Sequence, residues 1–276
     1  TGRISSTSIG TVGTSIAYDN FGALDWYDAT ANGASVYSST LYRDNAGRIT
    51  GKAETIQGVT TTWSYDFDAA GRLADVSADG QVLASYAYDA NGNRIRRTTA
   101  SGVQDGAADD QDRLVALGVA TYTYTPTGSL SSKAIGGATT QYAYDEFGNL
   151  VTVALPNGTT IEYLVDGLNR RIGKKVNGTR VEGFLYDGQL RPVAWLNGAG
   201  SVYARFVYGT RINVPEYMTT SAGTFRIITD HLGSPRLVDT WQPGAFQMTP
   251  FQVLKCSGAQ VLECSSAEVL KCSSAE

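Results

Sequence analysis

The sequence predicts an all-β protein: a long antiparallel meander of short strands, followed by a low-complexity C-terminal tail. Three observations carry that expectation. Charged residues make up only 17% of the chain, while Gly (31) and Tyr (16) are abundant, a composition of strands and turns rather than helices. A phrase of Tyr-Asp, then Gly, then Asn or Arg recurs as "YDANGN" at 88–93 and "YDEFGN" at 144–149, with looser copies "YDNFGA" at 18–23, "YRDNAGR" at 42–48 and "YDFDAAGR" at 65–72. Asn-Gly pairs at 157–158, 177–178 and 197–198 stand 20 residues apart.

The first element to justify is the repeat. The glycines that follow each Tyr-Asp-like start are Gly22, Gly47, Gly71, Gly92, Gly128, Gly148, Gly167 and Gly188, at intervals of 25, 24, 21, 36, 20, 19 and 21. Only the 36 is out of line, and it contains "SGVQDGAADDQDR" (101–113), which reads as a polar insertion forming a solvated loop. Each Asn-Gly pair falls about ten residues after a glycine of the first series, and Asn-Gly is a strong hairpin signal because both residues accept positive φ. Each repeat therefore has two turns and two strands.

The strands come next. "NLVTVALP" (149–156), "TTIEYLVD" (159–166), "RIGKKV" (171–176) and "TRVEGFLYD" (179–187) fill the spaces between turns. Each is roughly 20–26 Å long at about 3.3 Å per residue. Tight turns make chain neighbours antiparallel. The punctuation then has a physical meaning. Tyr ends a strand with its ring on one face, Asp opens the turn with a carboxylate that accepts backbone N–H groups, and Gly takes the positive-φ position. Rings returned to one face form a cross-strand ladder.

Bulk properties exclude several classes. Net charge is −4, with 22 basic and 26 acidic residues, which gives no footprint for nucleic acid. No apolar run approaches the roughly 20 residues of a membrane span. The chain begins "TGRISSTSIG", without Met or a signal-peptide core, and reads as an internal or processed piece. Its three cysteines, Cys256, Cys264 and Cys272, all lie in the tail, so no disulfide framework holds the body.

The repeat phrases, together with "FLYDGQLRPVAWLNGAGSVYARFVYG" (184–209) and "FRIITDHLGSPRLVDT" (225–240), resemble the Rhs, or YD-repeat, family, including toxin-complex C components, wall-associated protein A and the teneurins. "DHLGSPR" (230–236) is close to the signature of the Rhs repeat-associated core. The resemblance covers about residues 15–240. It implies a sheet that curves or spirals into a shell or barrel, enclosing and delivering a toxin cargo, in a secreted or cell-surface bacterial protein exported by a specialised system. It assigns the structural signature to Tyr18, Tyr65, Tyr88, Asp89, Gly92, Tyr144, Asp145, Gly148, Tyr186 and Asp187 in the repeats. In the core it assigns Asp230, His231, Gly233, Pro235 and Arg236. The expected organisation is a repeat meander over 1–183, a core-like segment over 184–240 and an atypical tail over 241–276. Expected partners are toxin cargo or further copies through open sheet edges.

Two other functions are compatible with such a chain. Exposed aromatic ladders would suit carbohydrate or cell-surface binding. Self-cleavage by an aspartyl-type core is the third, but after Thr240 the chain reads "WQPGAFQMTPFQ" where the family's Asp-Pro-x-Gly-Leu-type cleavage segment would follow, so an enzyme is not expected.

The remaining constellations read as structure. His231 is the only histidine and no Gly-x-Ser-x-Gly supports a triad, so it reads as a hydrogen-bonded turn residue. Asp230 and Arg236 are the candidate ion pair that fixes this turn. "GLNRRIGKK" (167–175) has one residue too many between its glycines for a phosphate loop and lacks the Ser or Thr after its lysine. "DGAADDQD" (105–112) lacks the ligand spacing of a calcium loop, and the cysteines lack zinc-site spacing. No cofactor or metal is expected. The tail repeats "VLKCSGAQ", "VLECSSAE" and "VLKCSSAE" over 253–276, a period of eight that matches no heptad and reads as low-complexity sequence.

Overall fold

The computed structural model describes residues 2–189 and 191–240. All regular structure among them is β. In chain order the strands are β1 (Ser6–Ile9), β2 (Val12–Tyr18), β3 (Leu24–Ala31), β4 (Ala34–Arg43), β5 (Ile49–Ile56), β6 (Val59–Phe67), β7 (Leu73–Ala78) and β8 (Gln81–Tyr88). They continue as β9 (Arg94–Thr99), β10 (Gly102–Ala108), β11 (Leu114–Leu117), β12 (Ala120–Tyr124), β13 (Leu130–Ile135), β14 (Ala138–Tyr144), β15 (Leu150–Ala154) and β16 (Thr160–Val165). The last are β17 (Arg171–Val176), β18 (Thr179–Tyr186), β19 (Pro192–Asn197), β20 (Val202–Val207), β21 (Tyr217–Thr220), β22 (Gly223–Thr229) and β23 (Pro235–Thr240). The four strands expected over 149–187 are β15 to β18, each within a few residues of its expected bounds.

Two turn types alternate, for the reason the sequence suggests. At one end of the strands, two-residue turns place both residues at positive φ, as in Asn32-Gly33, Gln57-Gly58, Asp79-Gly80 and Asn177-Gly178. At the other end sits a longer, bulged turn. In its copy at 89–93, the Asp89 N–H donates to the Asn93 carbonyl (3.0 Å) and the Gly92 N–H to the Asp89 carbonyl (3.2 Å). The register slips by one at the preceding tyrosine, between Ala87 and Tyr88. The same slip falls at Tyr18, Tyr124, Tyr144 and Tyr186.

Three details differ from the sequence reading. Residues 101–113 are not an inserted loop. They form β10, paired in register with β9, and then a bulged turn in which Asp112 (φ 59°) takes the glycine position. The apparent 36-residue interval is thus two repeats, of 20 and 16 residues, with an aspartate in the glycine position between them. Gly167 is not the left-handed residue of its turn; Asn169 (φ 59°) is. Of the three Asn-Gly pairs, only 177–178 forms the two-residue turn. In the other two the left-handed glycines are Gly158 and Gly200, and the turns close by Leu155 N–H to Thr159 carbonyl (2.8 Å) and Asn197 N–H to Ser201 carbonyl (2.9 Å).

The described chain divides into two compact units, one of residues 1–61 with the segment from Phe206 onward and the other of Thr62–Arg205. The expected boundary at 183/184 falls inside β18. The three tail octads lie outside the described residues.

In the first unit, β1 to β5 pair consecutively, as do β21 to β23. The two sets close on a shared core. Ala29 and Tyr37 from β3 and β4 pack with Ile228 and Leu237 from β22 and β23, all four essentially inaccessible to solvent. Burying each of the larger side chains contributes about 1.5–3 kcal/mol.

In the second unit the strands from β6 to β20 pair consecutively and antiparallel. One face carries an aromatic residue three positions before each turn opener: Tyr65, Tyr86, Tyr122, Tyr142, Tyr163 and Phe184. Gly106 interrupts the row, and a Cβ there would stand 2.7 Å from the Arg94 carbonyl oxygen. The opposite face exposes Thr121, Thr123, Gln141 and Ala143. Tyr163 is buried and the other rings are half-buried.

Candidate functional site

The repeat motif builds a bracket between neighbouring hairpins. Asp68 opens a turn: its Oδ1 accepts the N–H groups of Ala70 (2.9 Å) and Arg72 (2.8 Å), and its Oδ2 accepts Arg72 Nε (2.7 Å). The tethered guanidinium then reaches the next repeat, where Nη1 donates to the Asp89 carbonyl (2.8 Å). The same guanidinium lies 4.8 Å from the ring centre of Tyr88. Tyr88 in turn donates its O–H to the carbonyl of Leu73, the residue after that arginine (2.8 Å). One unit of the lattice is thus an aspartate, an arginine and the next repeat's tyrosine.

The tyrosine half of the bracket, ring over arginine and phenol to the next carbonyl, recurs. Tyr18 lies over Arg3 and donates to the Ile4 carbonyl (2.9 Å). Tyr124 lies over Arg113 and donates to the Leu114 carbonyl (2.6 Å). Tyr186 lies over Arg170 and donates to the Arg171 carbonyl (2.8 Å). Where the turn ends in Asn, the amide replaces the guanidinium: Asn93 Nδ2 donates to Asp89 (3.0 Å) and onward to Asp112 (2.7 Å). Asn149 likewise donates to Asp145 (2.9 Å) and Asn169 (3.0 Å). Hydrogen bonds from the turn hold the Asp68, Asp89, Asp109, Asp145 and Asp166 carboxyls below the usual carboxylate range.

Most of the signature residues fall on this lattice. Gly92 and Gly148 take the left-handed position of their turns. Tyr144 stands at the same strand-end position with its ring half-buried, and burial pushes its phenol up. Asp187 opens its turn by donating its N–H to the Arg191 carbonyl (2.8 Å) and pairs with the Arg191 guanidinium. Tyr65 does not: it lies within β6 opposite Val76, and Phe67 takes the strand-end place before the turn aspartate Asp68.

The "DHLGSPR" turn is the bracket turned inward. Asp230 Oδ1 accepts the N–H groups of Leu232 and Ser234, both at 2.9 Å. Its Oδ2 accepts Arg236 Nη2 (2.7 Å) and Nε (3.0 Å), with the carboxylate 2% exposed. Gly233 supplies positive φ, and Pro235 begins β23 opposite Thr229. The pair is not alone. Arg236 Nε also lies 3.5 Å from Glu54 Oε1, which accepts the Tyr37 hydroxyl (3.1 Å), while Lys52 Nζ pairs with Glu54 Oε2 (3.0 Å). Two cations and two carboxylates therefore balance in the first unit's interior. Burial raises Asp230, but Arg236 and the two backbone N–H groups outweigh it, so the carboxyl sits below its ordinary value. Burial lowers the Lys52 amine. Burial also lowers His231, and Lys52, Arg43 and Arg236 add to that effect against the pull of Asp230.

Four fixed donors orient the Asp230 carboxylate, so the cluster clamps this turn. Lys52, Glu54 and Tyr37 carry no local motif, so sequence reasoning missed them. The only available signal was a charged pair, Lys52 and Glu54, on a strand otherwise rich in small and apolar residues. The segment expected to lack the cleavage motif, beyond Thr240, lies outside the described residues.

A sheet of hairpins punctuated by Tyr-Asp turns, ending in this clamp, defines a YD-repeat protein of the Rhs class. The chain belongs to the family described as Teneurin YD-shell, whose model matches residues 1–244. It is similar to Teneurin-4 of Mus musculus, 28% identical over 211 residues, which is 74% of this chain and 8% of that protein. It is similar to Teneurin-1 of Gallus gallus, 25% identical over 209 residues, 73% of this chain and 8% of that protein. The chain thus spans 8% of the length of these curated relatives. Among solved structures, the Photorhabdus luminescens Tc holotoxin pore aligns over 80% of this chain and 16% of its own, with 13% identity and a TM-score of 0.44. The TcdB2–TccC3 complex aligns over 94% of this chain and 14% of its own, with 14% identity and a TM-score of 0.34.

Proposed function

We propose that this chain is a wall segment of a shell that encloses a polypeptide cargo, a toxin in a bacterial setting, and that it acts by confinement rather than catalysis. The observation that carries this reading is the two-faced sheet of the second unit. One face is a row of aromatic rings on alternate strands, with Val76, Arg97, Lys133, Val153, Lys174 and Trp195 opposite them. The other face is mostly small and polar, with Ser64, Thr121, Thr123 and Gln141 exposed. A mixed aromatic and basic face suits loosely held, unfolded polypeptide, because rings and long side chains contact many sequences without demanding one. The brackets stiffen the wall, and sheet edges would pair with further repeats or further copies.

Among the described residues, no helix is long and apolar enough to cross a membrane. Secretion or cell-surface display fits the shell reading. The test is to fuse an unstructured reporter segment after the chain and follow its digestion by trypsin. Slow cleavage that becomes fast when Tyr122 and Tyr142 are both changed to Glu supports the reading. Equal, rapid cleavage in both proteins sinks it.

Carbohydrate binding is the second reading. It rests on the Trp195–Tyr203 pair, packed edge to face at 4.8 Å with Tyr203 48% exposed. The bracket tyrosines Tyr18, Tyr88, Tyr124 and Tyr186 argue against a general sugar-binding ladder, since their hydroxyls are committed to backbone carbonyls. A glycan-array signal lost in Tyr203→Ala would favour this alternative.

A further inference from the structure

The first unit holds a cavity that a wall segment does not need. Its volume is about 250 Å³, and it lies between β2–β3 and the stretch from Thr210 to β22. Arg226 lines it, and that residue is only 6% exposed. A guanidinium has five N–H donors. Arg226 Nη1 donates to Glu216 Oε2 (3.0 Å), and Nη2 makes a long contact to Thr7 Oγ1 (3.4 Å). Its other three donors meet no protein acceptor among the described residues.

Glu216 has little left to offer, because its Oε1 already accepts the Thr210 N–H (2.7 Å) and hydroxyl (2.5 Å). Two more lining groups are under-used. Arg211 makes one 3.3 Å hydrogen bond, to the Asp230 carbonyl. The Tyr27 hydroxyl has no hydrogen-bond partner among the described residues, and burial raises its phenol, so it stays protonated and able to donate. Two guanidiniums against one carboxylate leave the lining with one positive charge in excess. Ile16 and Leu24 supply apolar wall.

Donors that face a cavity without a protein acceptor are open to a ligand, and a guanidinium fork matches a carboxylate with two parallel hydrogen bonds. We propose that this cavity binds a small carboxylate-bearing molecule, with Arg226 and Arg211 receiving the carboxylate and Tyr27 and Leu24 contacting its body. The volume lies just under the roughly 300–1,000 Å³ of drug-sized sites, so the body is a single ring rather than a chain or an oligosaccharide. This site stands independently of the shell reading.

The test is calorimetry on the whole chain with two carboxylates, benzoate and glucuronate, and their neutral counterparts, benzamide and glucose. At least one carboxylate should bind with a Kd of about 1 mM or tighter, and its neutral counterpart at least about tenfold more weakly. Whichever carboxylate binds tells an aromatic body from a sugar body. Arg211→Gln should weaken that binding about tenfold, and Tyr27→Phe about threefold, with unchanged melting temperatures. If Arg211→Gln does not fold, Tyr27→Phe and the neutral counterparts decide the matter. The proposal is overturned if no carboxylate binds below about 10 mM, if neutral and charged probes bind equally, or if both variants bind like the parent.

Discussion

Tyr88 is held by Arg72 from both ends of one residue pair: the guanidinium lies 4.8 Å from the ring centre, and the phenol donates to the carbonyl of the next residue, Leu73, at 2.8 Å. Sixteen positions separate the two residues in the chain, yet each completes the other's repeat. Arginine is suited to this because its planar fork can bind Asp68, reach the Asp89 carbonyl and support a ring together.

The phenol's share of that bracket is measurable. Tyr88→Phe keeps the ring over Arg72 and removes only the hydrogen bond. It should cost about 1 kcal/mol in urea unfolding, while Tyr88→Ala should cost clearly more. Equal losses from the two variants would mean that the ring contributes nothing.

The buried clamp should be the most sensitive point in the first unit. Removing Glu54 leaves Lys52 and Arg236 facing each other without their shared carboxylate, and takes from the Tyr37 hydroxyl the acceptor of its hydrogen bond. Glu54→Ala should destabilise the unit by about 3–5 kcal/mol. A thermal shift no larger than that of an exposed Thr123→Ala control would contradict the network.

Stability should fall in two stages as pH drops. His231 has a folded pKa below its unfolded value of about 6.5, so the unfolded state takes up the proton first and stability declines from about pH 6.5 downward. The turn aspartates and Asp230 have depressed folded pKa values. Their stabilising contribution is present above the unfolded value of about 4 and is lost as pH falls through the folded values. Urea midpoints at pH 7, 5 and 3 would show both stages, and His231→Gln should flatten only the first. A single stage in the parent protein would refute this account.

Glycine positions that look alike in sequence should respond differently. Gly148 sits at φ +82°, so Gly148→Ala meets no atom but forces a left-handed alanine, at about 1–2 kcal/mol. Gly167 has open space and ordinary φ, so Gly167→Ala should be close to neutral. Differential scanning calorimetry of the two variants would separate them, and equal melting temperatures would contradict the turn assignment.

Much of this architecture is local, and that is why it was legible. Asx-type hydrogen bonds, positive φ and period-two alternation act within about five residues, so "YDANGN" announces its turn without help from the rest of the chain. The errors came from substitutes within that local code. Asp112 and Asn169 tolerate the left-handed region well enough to stand in for glycine, so counting glycines lost one repeat at 101–113 and misplaced another at Gly167.

Local chain chemistry was enough to place the strands, the alternating turns, the Tyr-Asp punctuation and the pairing of Asp230 with Arg236, six residues away. The folded arrangement set that Tyr37 and Ala29 meet Ile228 and Leu237, that Glu54 bridges Lys52 and Arg236, and that Arg226 and Tyr27 line one cavity. The pairs that join the two ends of the chain, Tyr37 with Ile228, Glu54 with Arg236 and Tyr27 with Arg226, lie 191, 182 and 199 residues apart. No periodicity links them. They are chosen by which sheet faces must leave water together, a quantity that exists only once the hairpins have stacked.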